Sequence, residues 1–138
     1  MILSIIYFIL ILGLIVLVHE FGHFIFAKMT GVYVYEFAIG MGPKIWGTKK
    51  GETDYSIRAI PIGGYCALAG EDVEDDDLQK IPEDRRLQAK TPFQRFLIMF
   101  FGPGFNFIFA IWFNGYNSIS ISLQMFTRID KYTSIHIK

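Results

Sequence analysis

The sequence is poor in cysteine, in excess charge and in early positive residues, and each scarcity excludes something. Its one cysteine, Cys66, has no partner for an internal disulfide. Beside Gly63-Gly64 it reads as a small packed residue, since no base stands near it in sequence to make a reactive thiol. Thirteen Lys and Arg balance thirteen Asp and Glu, so no basic surplus points to a nucleic-acid partner. No Lys or Arg precedes Lys28, so the opening apolar run lacks the basic n-region of a secretory signal peptide. At 138 residues the chain has room for one ordinary domain.

Apolar residues are abundant instead. The chain is 52% hydrophobic and 17% aromatic, with 14 Phe, a composition that fits a membrane protein better than a soluble domain. From Ile2 to Ala27 the apolar character is nearly continuous, long enough to cross a hydrocarbon core of roughly 30 Å. A second uncharged run, FLIMFFGPGFNFIFAIWF, fills residues 96 to 113. Thr91-Pro92-Phe93-Gln94 before it supplies an N-cap, a Pro for the first helical position and a Gln that can complete a capping box. Gly102-Pro103-Gly104 interrupts the run, which in lipid marks packing against another helix or a local opening of the backbone.

Lys and Arg are distributed unevenly about these spans. Ten lie between them, from Lys28 to Arg95, and three follow the second: Arg128, Lys131 and Lys138. By the positive-inside rule the loop 28–95 is cytoplasmic and the N-terminus outside. Within the loop the period changes to two. YVYEFAI (33 to 39) and TDYSIRAIPI (53 to 62) alternate and are rich in aromatic and β-branched residues, with glycines between. They read as a small twisted set of strands. EDVEDDD, 71 to 77, reads as a solvated acidic linker. The expected fold is thus a mainly α membrane protein, two transmembrane helices (about 2–27 and 93–113) with a small glycine-rich β element (30–70) between them. An acidic linker (71–90) and an atypical tail (114–138) complete it. The alternating Ser-Ile of the tail is compatible with a strand that has little to pair against.

The chemistry sits at the end of the first span. His19-Glu20-Phe21-Gly22-His23 is H-E-x-x-H. On a helix, residues four apart share a face, so both imidazoles can reach one ion. Neutral imidazole nitrogen is a good Zn2+ ligand, and Glu20 beside it is suited to take a proton from water that the ion activates. Such groups are costly at that position unless they have a task; the bland alternative is a polar helix end reaching the interface. With a rise of about 1.5 Å per residue, His19 lies roughly 26 Å along the helix from Ile2, inside the bilayer slab and nearer its cytoplasmic face.

HEFGHF, then FAIGMGPKIW, then IRAIPIGGYCALAGED, then FFGPGFNFIFA together resemble the site-2 protease family of intramembrane zinc metalloproteases, in its bacterial regulated-intramembrane-proteolysis branch. The likeness runs from about residue 5 to residue 112. It implies that His19 and His23 are zinc ligands, that Glu20 is the catalytic base, and that the glycine-rich strands form a re-entrant element near the site. It further implies transmembrane protein substrates in a bacterial inner membrane. The family's third ligand, an Asp in an L-D-G-like motif on a later helix, has no counterpart here, and neither do the PDZ domains common in this branch. Asp130 and His136 read as ordinary tail residues. The expectation is therefore an N-terminal catalytic portion, a truncated reading frame or a frameshifted product. The alternative is an inactive membrane fragment or interaction module; a soluble zincin conflicts with the two lipid-length runs.

Overall fold

A computed structural model describes residues 2–71 and 81–136, with side chains described as far as Met125. Helix α1 spans Ile2–Met29, strand β1 Val34–Lys50, strand β2 Thr53–Leu68 and helix α2 Pro92–His136, with short 3-10 turns at Glu83–Arg85 and Leu87–Ala89. Residues 72–80 of the acidic linker and the side chains of Asp130 and His136 lie outside the described residues.

Helix α1 is apolar on every side and buries only Gly22 and Ala27. Such a helix belongs either in the core of a large protein or in lipid. Helix α1 has 28 residues, and mean hydropathy reaches 2.9 over an 18-residue stretch of it, so length and composition suffice to cross a membrane; Pro92–Met125 of α2 also suffices. Helix α1 stops where its sequence says it should. Gly31, at φ +73°, takes the left-handed position, Val32 N–H donates to Ala27 O and Gly31 N–H to Lys28 O. This is the Schellman closure. Helix α2 begins with the expected capping box: Gln94 N–H donates to Thr91 Oγ1 at 3.3 Å, and Thr91 N–H to Gln94 Oε1 at 3.1 Å.

The strands form one two-stranded antiparallel sheet, turned at Gly51-Glu52. Gly51 at φ +65° meets the demand of a type II′ hairpin for Gly at its first loop position. The register is double. Glu36, Phe37, Ala38 and Ile39 each face two partners, Asp54 to Ile57 on one flank and Ala67 to Gly64 on the other. Asp54 to Ile57 in turn also face Lys49 to Trp46. Both long strands therefore fold back on themselves, at Gly40 (φ +85°) in β1 and Gly63 (φ +71°) in β2, where a residue with a Cβ would be strained. The runs 33–39 and 53–62, read as strands in the sequence, are paired on both flanks over 36–39 and 54–57. The outer segments are 44–50 and 64–68.

The tail also differs. Residues 114–136 continue α2 as helix, with no strand in the Ser-Ile segment. Gly102-Pro103-Gly104 stays within the helix too, although Pro103 has no N–H to give the carbonyl four residues back. Met1–Asn106 make one compact unit and Phe107–Lys138 a second. The second carries an aromatic ladder of Phe109, Trp112 and Tyr116, with centroids 6.1 and 6.2 Å apart.

In the first unit, Ala27, Val32, Val34, Leu68, Leu87 and Ile98 bury one another where the end of α1, the base of the sheet, the second 3-10 turn and the start of α2 meet. Phe26 stacks on Phe101 with centroids 3.7 Å apart. Polar ties surround this core. Glu52, at the hairpin turn, accepts from Lys28 Nζ at 2.6 Å and from Arg85 Nη1 and Nη2 at 2.6 and 2.9 Å. The Arg85 guanidinium lies 5.4 Å from the centre of the Tyr33 ring.

Arg85, then Lys28, hold the Glu52 carboxyl below its usual pKa in spite of its partial burial. A depressed folded-state pKa contributes stability that is present above the unfolded pKa and is lost as pH falls through the folded one. Glu52→Gln should therefore cost about 1 kcal/mol at neutral pH, discounted for exposure, and the gap should close only as pH falls below the ordinary carboxylate range, through the lowered Glu52 pKa. Amide exchange of β1 and β2 in detergent, followed against pH in both proteins, measures the difference. A constant gap at all pH values would contradict the assignment.

Candidate functional site

His19, Glu20 and His23 lie on the last turns of α1, and the backbone of α2 is pressed against them. A Cβ built on Gly22 would meet the carbonyl of Phe101. Reciprocally, a Cβ on Gly102 would strike Nε2 and Cε1 of His23 and stand 3.0 Å from Nε2 of His19. The two glycines allow the helices to touch at the point where the imidazoles converge.

The convergence is close. His19 Nε2 and His23 Nε2 are 3.1 Å apart, and the rings meet edge to face at 4.8 Å between centroids. Two nitrogens at that separation can both stand about 2.0–2.1 Å from a single ion, at an angle of about 100°. The separation also suits a hydrogen bond between the rings, so the surroundings have to decide. His23 Nδ1 lies 2.8 Å from the carbonyl of Ile98, which can only accept. Its proton is therefore on Nδ1, and Nε2 keeps a free lone pair, as in histidines that bind metals. The space the ion needs is the space a side chain at 102 would take. The donor set and its cradle fit a zinc ion. Among the described residues no third His, Cys, Asp or Glu completes a metal-binding group.

Glu20 faces a cleft of about 250 Å³ shared with His23, Tyr65, Cys66, Leu68, Glu71 and Met99. The cleft is thus walled by α1, by the 64–68 segment of β2 and by α2. The backbone amide of Cys66 is a hydrogen-bond partner of the Glu20 carboxylate. A larger hollow at Glu83, Arg86, Gln88 and Ala89 gathers no histidine and a single carboxylate, so the chemistry belongs to the smaller one. Burial, with Glu20 beside it, pushes the Cys66 thiol up to about 12. It is protonated at neutral pH and no nucleophile, in keeping with its reading as a packed residue. Tyr65 is likewise pushed up to about 12 by burial and then by Glu36, so its phenol remains a donor to Glu36.

The structure brings together all three residues singled out in the sequence. The break at Gly102-Pro103-Gly104 marks helix packing in the sequence, and Gly102 lies at such a contact; sequence reasoning overlooked the Ile98 carbonyl, the Cys66 amide and Asn106, whose side-chain amide lies 3.4 Å from His19 Nδ1. For Asn106 a signal was present: it is the one amide side chain in the uncharged run 96–113, and polar residues in such runs seldom lack a task.

The chain matches the model of peptidase family M50 over residues 7–134. It is 50% identical over 107 residues to a protein of Clostridium perfringens, 47% over 102 to one of Clostridium acetobutylicum and 45% over 106 to one of Thermotoga maritima. Each of these carries the name "Putative zinc metalloprotease". The matches take in 78, 74 and 75% of this chain but 30, 28 and 21% of the relatives, so the chain spans less than a third of their length. With a zinc-fitting pair of histidines, an adjoining glutamate and a family match along nearly all its length, the chain belongs to the metallopeptidases of family M50.

Proposed function

We propose that the whole protein is a zinc-dependent endopeptidase that cuts transmembrane segments of other proteins within the bilayer. In this reading α1 and α2 span a bacterial inner membrane, the residues between them face the cytoplasm, and the N-terminus is outside. The observation that carries it is the meeting of His19 Nε2 and His23 Nε2, 3.1 Å apart, beside Glu20 at the end of a lipid-length helix. Zinc, when bound, polarises a carbonyl and makes water nucleophilic near neutral pH. His19 and His23 hold it, each through Nε2. Glu20 takes a proton from the attacking water and passes it to the departing amide nitrogen, so that the peptide bond breaks without a free amide anion. Catalytic zinc takes three protein ligands; two are these histidines, and the third comes from outside the described residues. A second reading, a membrane module that binds zinc weakly and cuts nothing, rests on that same count of two donors.

A helix hides its backbone, because its amides and carbonyls pair internally. A transmembrane substrate therefore has to unwind before a nucleophile can reach it, and strand addition replaces the hydrogen bonds it loses. In this reading the unwound segment adds at the outer segment 64–68, which borders the cleft, because 36–39 and 54–57 are already paired on both flanks.

Zinc content reports the ligands directly. His23→Ala and Gly102→Ala should each remove most zinc from detergent-purified protein, the first by deleting a ligand and the second by filling its place. Asp130→Ala should leave zinc intact. Stoichiometric metal in the Gly102→Ala protein would mean that zinc lies elsewhere.

Glu20→Gln, in the full-length protein, should keep its zinc and lose at least about 100-fold in peptide cleavage, because Gln preserves shape but accepts no proton at useful pH. Turnover within a few-fold of the original removes Glu20 from the mechanism and favours the non-cutting reading.

Proline scanned through Tyr65–Leu68 removes ladder donors one at a time. At one position or more it should impair cleavage of helical substrates while sparing zinc, and helix-destabilising residues in the substrate should partly restore the rate. Normal cleavage by every zinc-retaining variant would refute strand addition at this edge.

A further inference from the structure

The two zinc-facing histidines are held differently from behind. His23 is unambiguous, because Nδ1 meets a backbone carbonyl. His19 Nδ1 meets the side-chain amide of Asn106 on α2, with Nδ2 as the nearer atom at 3.4 Å, while Asn106 Oδ1 is buried without a hydrogen-bond partner. The two ends of an amide differ little in shape, and the hydrogen-bond chemistry has to choose between them. If Nδ2 donates to Nδ1, the His19 proton is forced onto Nε2, and Nε2 then has no lone pair for an ion. If the amide is turned, Oδ1 accepts from Nδ1–H, Nε2 is free, and the buried oxygen gains the partner it lacks. Only the second arrangement is compatible with zinc between His19 and His23.

We propose that Asn106 is a positioning residue of the metal site. Its side-chain oxygen accepts from His19 Nδ1–H, fixing both the tautomer and the rotation of the ring, so that Nε2 faces the point already fixed by His23. Asn106 thereby does for His19 what the Ile98 carbonyl does for His23, and both supports come from α2. The two helices hold the ligand pair jointly, one supplying the rings and the other their orientation. A partner behind a ligating histidine contributes typically about 10–100-fold in metal affinity.

This inference rests on the zinc site proposed above, and its test keeps the two apart. Zn2+ affinity is measured by chelator competition on the detergent-solubilised chain, alongside Asn106→Leu and Asn106→Asp. Leu fills a similar volume and accepts nothing, so affinity should fall about 10–100-fold. Asp accepts only, so it should bind at least as tightly as the original. In the zinc-loaded chain the His19 Nδ1–H proton resonance should lie further downfield in the Asn106→Asp variant than in the native protein, because a carboxylate is the stronger acceptor. That comparison stands even if the Leu variant does not fold. Equal affinity in native and Asn106→Leu chains, a loss in Asn106→Asp as large as in Asn106→Leu, or an unmoved Nδ1–H resonance would each overturn the role of Asn106. A native chain that takes up no zinc overturns the site itself.

Discussion

Everything at this site depends on one close contact, the approach of α2 to α1 at Phe101-Gly102. Glycine on both sides of the contact leaves room for the backbones to meet, at Gly22 on one helix and Gly102 on the other. Without it the imidazoles of His19 and His23 would project from an apolar helix with nothing behind them. With it, α2 supplies a carbonyl to one ring, an amide to the other, and an indentation in which the two Nε2 atoms converge. A buried polar group without a partner costs several kcal/mol in hydrocarbon. The contact between helices is therefore what makes the polar cluster tolerable as well as what shapes it.

The sheet serves the same end from a third side. Its double register packs four strand segments into two chain elements, and Gly40 and Gly63 are where each element turns. This brings 64–68 beside the HEFGH turn, where the Cys66 amide meets the Glu20 carboxylate. Further from the site, Lys28, Glu52 and Arg85 fasten the end of α1 to the hairpin turn and to the first 3-10 turn. The sheet is small, and a lone two-stranded hairpin is marginal in water. Here it is doubled on itself and secured at its base by the core of Val32, Val34 and Leu68.

These dependencies explain which parts of the molecule were legible beforehand. H-E-x-x-H, the Thr91–Gln94 capping box and the two apolar runs are local patterns, and helical geometry alone converts them into positions. The strand regions were legible as strands but not as to their partners, because the alternation of 33–39 is the same whether it has one neighbour or two. The helical continuation through Ser118-Ile119-Ser120-Ile121 was hidden by a period-two pattern that suits a strand equally well. The Gly102-Pro103-Gly104 break signals a helix contact but not which side chains it meets, and the Ile98 carbonyl carries no signal at all in one dimension, since its role exists only once a second helix lies across the first.

Asn106 falls between these classes. Its polarity within an apolar run is visible in the sequence, but its partner is 87 positions away. The nature of the partner then determines what the amide has to do. A ring that is to give its outer nitrogen to a metal must carry its proton on the inner one, and a proton there calls for an acceptor. The histidine motif thus constrains a residue on another helix through a single hydrogen atom. The same logic applies to Ile98, where the acceptor is backbone and no side chain could reveal it. On the proposed reading both ligands come from α1, and α2 sets the protonation state that lets them bind.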